Sequence, residues 1–403
     1  RSGLNNMCYA IPGKVISIDG KTVTVGYFGE TKNAINEMHD LKPGDYVYAQ
    51  GGYAIQKVPE KEALDILDTW AEMFQDLRET DVMLSRVSPE DQTSDKRLNK
   101  ILDRASNEVS LSDDDLKYLL SLTDEKSKQL LFKSANFLRQ KHQQNSCCVH
   151  GIIELSNRCI YNCSYCGIGS GVKGLPRYKM ALPEVMEAAG AAIEKYGFKV
   201  LVLQSGDGAY SVEELIEIIQ SIKAKWPCLI FISAGETGVD SLEKLWDAGA
   251  RGILMRFETS NAELYAKLHP GMDFNTRLAH LRRANELGYL ILTGSLIGVP
   301  GQTEQDIIND IRLAKELNAE MFSFGPFLPS PGTPLAENSV PDKDLIIKTL
   351  AVARLIDPEK AKILITTALE TLDPASREKG LMAGGNSVML NVTPMEYRKL
   401  YSI

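Results

Sequence analysis

Long apolar runs are missing from this sequence. No stretch reaches the ~18 apolar residues that cross a bilayer, and the start lacks the basic-then-apolar order of a secretory signal. A cytoplasmic protein without a membrane partner is expected. Lys/Arg-rich runs are missing as well, and 45 basic against 53 acidic residues leave a net charge of -8. That balance cannot grip a nucleic-acid backbone, which needs clustered positive charge, so the partners are small molecules or proteins. Cysteine is scarce and uneven. Its count of 7 is odd, and most of the residues crowd into one short region, unlike a disulfide framework spread over a secreted domain. Reduced thiols or metal ligands are expected instead.

The 403 residues, 44% apolar and 24% charged, suit a soluble protein with a large core, and the length suits a barrel of about 250 residues plus a smaller module. Residues 7 to 80 read as the smaller module. Alternating runs at Lys14 to Ile18, Thr22 to Tyr27 and Tyr46 to Ala49 are separated by turn signals at Asp19-Gly20, Phe28-Gly29 and Pro43-Gly44, the pattern of a small antiparallel barrel. From Pro59 a helix begins, with Ala63, Ile66, Leu67, Trp70, Met73, Phe74 and Leu77 on the face that covers the barrel. Polar residues without periodicity then mark 81 to 97 as a flexible linker.

Residues 98 to 403 open on two helices, the second starting at Ser112 with three aspartates in its first turn. Short apolar runs then alternate with amphipathic segments. The runs are Val149 to Leu155, Val200 to Gln204, Leu229 to Ser233, Gly252 to Phe257, Tyr289 to Leu296, Met321 to Phe324, Ile363 to Thr367 and Val388 to Leu390. Eight strands with intervening helices predict an α/β fold of the (β/α)8 TIM-like type, whose chemistry sits at the C-terminal strand ends. An open doubly wound sheet fits the same pattern, but no G-x-G-x-x-G follows the first strand to favour it.

Cys159-Ile-Tyr-Asn-Cys163-Ser-Tyr-Cys166 falls in the loop after the first of those strands. Three thiolates hold three irons of a cubane and leave the fourth iron open to a chelating small molecule. A zinc knuckle needs a fourth ligand, and only His150 and the Cys147-Cys148 pair are near in sequence. Cys147 and Cys148 read as free thiols and Cys228 as core.

This spacing, with an aromatic residue before the third cysteine, resembles the radical S-adenosylmethionine (SAM) superfamily. The resemblance implies one 4Fe-4S cluster whose open iron is chelated by SAM, and reductive cleavage of the sulfonium to a 5′-deoxyadenosyl radical with an electron from a flavodoxin- or ferredoxin-type donor. It also implies a SAM site made by Gln204, Ser205, Gly206 and Asp207 at the second strand end, Glu258 toward the ribose and amino groups, Arg277 toward the carboxylate, and Leu296 in the Gly294 to Thr303 segment facing adenine.

Within the superfamily, residues from about Leu98 to Tyr401 resemble the HydE family of FeFe-hydrogenase maturases. Gly151 to Asn157, Val202 to Gly206, Arg256 to Thr259, Gly294 to Thr303, Gly325 to Pro329, Thr366-Thr367 and Tyr397-Arg398 carry the likeness. It implies an iron complex bearing CO, cyanide and cysteine as substrate, a cavity lined by Arg256, Thr366, Thr367 and Tyr397, and other hydrogenase-maturation proteins as partners. The chain ends at Ile403 without a second cysteine cluster, so one cluster is expected.

Met7 to Val15, Lys42 to Val47 and Gly52 to Ile55 resemble the HypC family, small hydrogenase-assembly chaperones with an OB-like barrel and a C-terminal helix. Six residues, Arg1 to Asn6, precede Met7, and Gln50 stands where many members have His. The likeness implies that Cys8 is a carrier thiol that holds an iron-CO-cyanide group, which requires it to be exposed and free. Exchange of that group with the barrel cavity near Arg256 is then expected, since both families handle iron with CO and cyanide. Two other readings stand beside this one: a mutase like 3-methylornithine synthase, and a non-catalytic iron-complex scaffold. The cluster cysteines with Glu258 and Arg277 speak against the scaffold, because storage does not need SAM cleavage.

Overall fold

Glycine-punctuated, β-branched runs close the first unit. In a computed structural model that describes residues 8 to 401, β1 (Gly13–Asp19), β2 (Thr22–Tyr27), β3 (Glu30–Asn36), β4 (Tyr46–Gln50) and β5 (Tyr53–Val58) form a closed barrel in the order β1-β2-β3-β5-β4. Val23, Val25 and Tyr27 alternate into its core, where they meet Tyr9, Val15 and Phe74. Gly20 takes the left-handed conformation, φ +56°, that the tight β1–β2 turn demands. The sequence shows β1, β2 and β4 but hides β3, because Ala34 is the one fully buried side chain in a strand of polar residues.

α1 (Glu60–Ser85) begins at Pro59 as expected and runs past the expected end. Ile66, Leu67, Trp70 and Phe74 pack on the barrel core, but Met73 and Leu77 stand 50% and 53% exposed, so only part of the forecast face is covered. The stretch 81 to 97 is not the flexible linker expected from its composition. Residues 81 to 85 complete α1, Pro89–Asp91 forms a capped turn, and Arg139 and Lys133 pair with Asp81 and Asp91. Composition misleads here because charged groups that look solvated are matched by cations on a later helix, Glu125–Gln143.

The second unit is an eight-stranded parallel barrel, closed in sequence order by β6 (Cys148–Ser156), β7 (Val200–Ser205), β8 (Leu229–Ser233), β9 (Gly252–Leu254), β10 (Leu290–Thr293), β12 (Met321–Phe322), β14 (Lys362–Ile365) and β15 (Ser387–Asn391). β11 (Leu296–Ile297) and β13 (Gly325–Pro326) pair above β10 and β12 as a small extra ribbon. All eight strands lie where the apolar runs put them, though Gly252 to Phe257, Tyr289 to Leu296 and Met321 to Phe324 stop earlier than forecast. Thr367 starts the helix Thr367–Leu372 rather than ending a strand.

The small barrel seats on the N-terminal end of the large one. Its contacts are with residues just before barrel strands: Lys32 with Gln144, Gln56 with Lys199 and Glu37 with Arg251. Gly51 presses so closely on Leu229 and Leu290 that an added Cβ would lie 2.9 Å from the first.

Cys8 sits inside this joint, 3% exposed, in one apolar cluster with Val200, Leu229, Phe231 and Leu290 from the barrel lumen. It forms a disulfide with Cys148, the first residue of β6. Two expectations fall: Cys8 is neither exposed nor free, and Cys148 is not a free thiol. The reason is tertiary. The approach of the modules brings together cysteines separated by 140 residues. This seat is not beside Arg256, which follows β9 at the other end of the barrel; the nine residues of β6 alone span about 26 Å between the two ends. Residues Arg1 to Asn6, with Met7, lie outside the described residues.

Candidate functional site

At the C-terminal end of β6 the chain leaves the barrel in a loop held by its own polar groups. Arg177 donates to the carbonyls of Asn157, Ile168, Gly169 and Val172, and Asn157 Nδ2 reaches those of Pro176 and Leu400. Ser164 is tied to the far side of the mouth by Oγ to the Lys267 carbonyl and by its N–H to the Leu268 carbonyl. Arg177 did not stand out in the sequence, and Asn157 entered only as the last residue of a family-like segment, since carbonyl clamps carry no motif.

This frame presents Cys159, Cys163 and Cys166 as free, half-buried thiols. Burial, with added repulsion from Cys166 and Cys159, pushes the Cys163 thiol up to about 12; burial pushes Cys166 up to about 11 and also raises Cys159. Such thiols ionise readily only against bound cations. Among the described residues no three His, Cys, Asp or Glu side chains converge as a single-ion site. A cubane does not require convergence, because each thiolate meets a different iron. Gly206 leaves room for the loop: a Cβ there would lie 2.1 Å from the Arg158 carbonyl and 2.7 Å from the Cys159 side chain.

The SAM residues implied by the resemblance gather around this loop in part. Glu258 is 7% exposed, adopts φ +67° and leaves Oε2 without a partner, the strained and unsatisfied state that buried polar groups keep where a ligand completes them. Ser205 Oγ is likewise buried and unpartnered. Leu296 lies in an apolar cluster with Val299, Phe327 and Tyr165, a surface fit for a flat ring. These orphans and this patch fit a cluster with SAM.

Arg277 is 9% exposed rather than on the surface, with Nε 2.9 Å from Glu236 and Nη1 on the Arg256 carbonyl at 3.0 Å. Glu236 was not legible in the sequence. Asp207 turns to that loop as well, accepting from the Glu236 N–H at 2.7 Å, so its carboxylate positions Glu236. Gln204 faces the lumen beside Tyr401. Two glycines of the Gly294 to Thr303 segment serve packing: a Cβ on Gly294 would meet the Ser323 carbonyl at 2.1 Å, and one on Gly298 would meet Pro341 at 2.2 Å.

Of the cavity residues, Arg256 and Thr366 converge over Gly325, whose missing Cβ would lie 3.1 Å from Arg256 Nη1 and 3.0 Å from Thr366 Oγ1. Arg256 Nε also contacts Glu258 at 3.2 Å. Thr366 caps the helix that follows it, and Thr367, exposed on that helix, does not join them. Tyr397 does not join them either: its hydroxyl donates to Glu184 in the outer helix Leu182–Gly190, and its ring packs on Tyr178.

Glu154, on the lumen face at the end of β6, is a further polar group. Asn391 donates to its Oε1 at 2.8 Å, Oε2 has no partner, and burial pushes its carboxyl up from 4.5 to about 7. A carboxyl raised in the fold binds its proton more tightly than in the unfolded chain. Its contribution to stability is therefore whole below about pH 4.5 and is lost as pH rises through about 7. Glu154→Gln is expected to gain stability relative to the wild type between about pH 5 and pH 8 in urea unfolding. Parallel pH profiles for the two proteins would show that Glu154 does not titrate in that window.

Comparison with known proteins agrees with this fold. The Radical SAM superfamily model matches residues 153–314, and the HupF/HypC family model matches residues 7–70. The [FeFe] hydrogenase maturase subunit HydE of Thermotoga maritima is 40% identical over 289 residues, 72% of this chain and 82% of its own length. The 3-methylornithine synthase of Methanosarcina acetivorans is 31% identical over 73% of this chain and 84% of its own. Among solved structures, methylornithine synthase (PylB) superposes with a TM-score of 0.66 at 29% identity, covering 72% of this chain and 85% of that one.

Proposed function

We propose that this chain, which belongs to the HydE-like radical SAM maturases of hydrogenase and carries a HypC-family module at its N-terminus, acts on a small iron complex bearing CO, cyanide and cysteine. The observation that carries the reading is the meeting of Arg256 and Thr366 over Gly325, next to Glu258 and on the cysteine-loop side of the barrel. A guanidinium and a hydroxyl both donate hydrogen bonds, and cyanide nitrogens on an anionic complex accept them. The glycine between them keeps the space open.

With cluster and SAM bound, the site would supply a 5′-deoxyadenosyl radical. The protein's own residues do the positioning. Cys159, Cys163 and Cys166 would hold the cluster, Glu258, Arg277 and Leu296 would hold SAM, and the Arg177 clamp fixes the loop that carries the thiols. The division into a carrier module that ends with α1 at Ser85, a short connector and an enzyme unit from about residue 98 belongs to the same reading, as does a cytoplasmic setting with other maturation proteins and a flavodoxin- or ferredoxin-type donor.

The 31% identity with a 3-methylornithine synthase carries a second reading, a mutase that forms 3-methylornithine from its isomer lysine, and the test sets the two side by side. The reconstituted, reduced protein with SAM is given either a cysteine-ligated iron carbonyl cyanide or L-lysine, and 5′-deoxyadenosine is counted. Substrate-dependent 5′-deoxyadenosine with the iron complex and none with lysine is expected. Formation of 3-methylornithine would overturn the proposal.

A further inference from the structure

The HypC-family module meets the barrel through two sulfurs, one from each unit. Cys8 and Cys148 have Cα atoms 4.9 Å apart, near enough for both side chains to reach one metal ion once they are reduced. Their surroundings are built on both sides. From the small module, the Gly51 N–H points at Cys8 Sγ at 3.4 Å, and the Cys8 N–H is held by Ser146 Oγ at 3.1 Å. Gln50, next along, is 9% exposed; its Oε1 has no partner and its Nε2 has only a long contact of 3.5 Å to the Tyr9 carbonyl. From the barrel, His150 shares the lumen face with Cys148 two residues earlier and leaves Nδ1 buried without a partner. Met321 lies in the same layer, with Ser387 Oγ bridging its sulfur and the Cys148 carbonyl. Val200, Leu229 and Leu290 complete a dry apolar wall.

We propose that Cys8 and Cys148 are paired thiolate ligands of an iron-complex holding site at the closed base of the barrel, and that the disulfide between them is the form that excludes cargo. This rests on the carrier reading of the N-terminal module and adds to it a second ligand, supplied by the enzyme unit. Thiolates are soft ligands suited to low-spin iron, apolar walls suit bound CO, and the Gln50 Nε2–H, held only by its long contact to the Tyr9 carbonyl, suits a cyanide nitrogen as donor. The chemistry balances with a dithiol as reductant. The protein disulfide takes two electrons and two protons from it to give two thiols, and the reductant becomes a disulfide. Binding of the ferrous complex then releases both thiol protons while two labile water ligands leave the iron. The site lies at the opposite end of β6 from the cluster loop, so it holds cargo apart from the radical chemistry.

The test uses the full chain with its cluster assembled, reduced anaerobically with dithiothreitol, desalted, and loaded with ferrous iron, cyanide and CO. Reduced wild type is expected to show infrared bands of bound CO and cyanide that survive desalting, and disulfide-bonded wild type, verified by mass, is expected to show none. Cys8→Ala is expected to lose the bands. Cys148→Ala and the near-isosteric Cys148→Ser are expected to shift the bands and to retain cargo at least about tenfold less well, with folding checked by thermal melting. If the Cys148 variants keep the same bands and the same retention, the second ligand is overturned while Cys8 stays a carrier. If reduced wild type binds nothing, the carrier reading falls and this site with it.

Discussion

Cys163→Ala is expected to remove both the broad visible absorption of the reconstituted cluster and the reductive cleavage of SAM, taking 5′-deoxyadenosine to background. Wild type is expected to bind about four irons and four sulfides per chain. Cys163 is central because its thiol feels both neighbouring cysteines and lies within electrostatic reach of Arg277 and Glu258. Taking out one thiolate leaves a cubane with two protein ligands. Metal binding must also pull protons from thiols that burial has pushed up to about 11 and about 12, so cluster loading is expected to slow as pH falls. Cys147→Ala serves as the control, because that thiol lies at the other end of β6, and it should keep both properties. Stoichiometric zinc in the wild type, with no reducible cluster, would sink the assignment.

What the sequence disclosed and what it hid divide along the range of the interaction. The barrel strands were legible because each is a short apolar run bounded by helical patterns, and the cysteine loop because its three thiols sit within eight residues. Glu236 was not, since it meets Arg277 across 41 residues and only the closed barrel brings its loop to the helix Phe274–Leu287 that carries Arg277. Neither was the pairing of Cys8 with Cys148. An isolated cysteine near a chain end and another at the start of a strand carry no mutual signal until the modules dock. Tyr397 shows the opposite failure: its resemblance to a cavity residue was readable, but the direction of its hydroxyl is set by Glu184 on the outer helix. Strand β3 escaped because edge-like polar residues dominate it, although β2 and β5 hold it on both sides.

Arg277→Ala is expected to cost the protein twice, and the two costs separate by experiment. The guanidinium and Glu236 are 11% and 7% exposed and 2.9 Å apart, so the variant leaves a buried carboxylate without its cation. Breaking a buried pair from one side costs about 3 to 5 kcal/mol, which should appear as a large drop in melting temperature. If Arg277 also binds the SAM carboxylate, affinity for SAM falls by at least about tenfold, the usual result of losing a buried charge-assisted contact. A destabilised site alone would weaken SAM binding too, so the single variant cannot assign the role. The double variant Arg277→Met with Glu236→Gln removes both charges and keeps similar volume, and by the same reasoning it should recover most of the lost stability. In the proposed role SAM binding, measured by calorimetry on the cluster-loaded protein, stays weak in the double variant while its melting temperature returns toward wild type. Recovery of both would make the Arg277–Glu236 pair a brace between the loop after β8 and the helix Phe274–Leu287, and the SAM carboxylate would have to be met by another group.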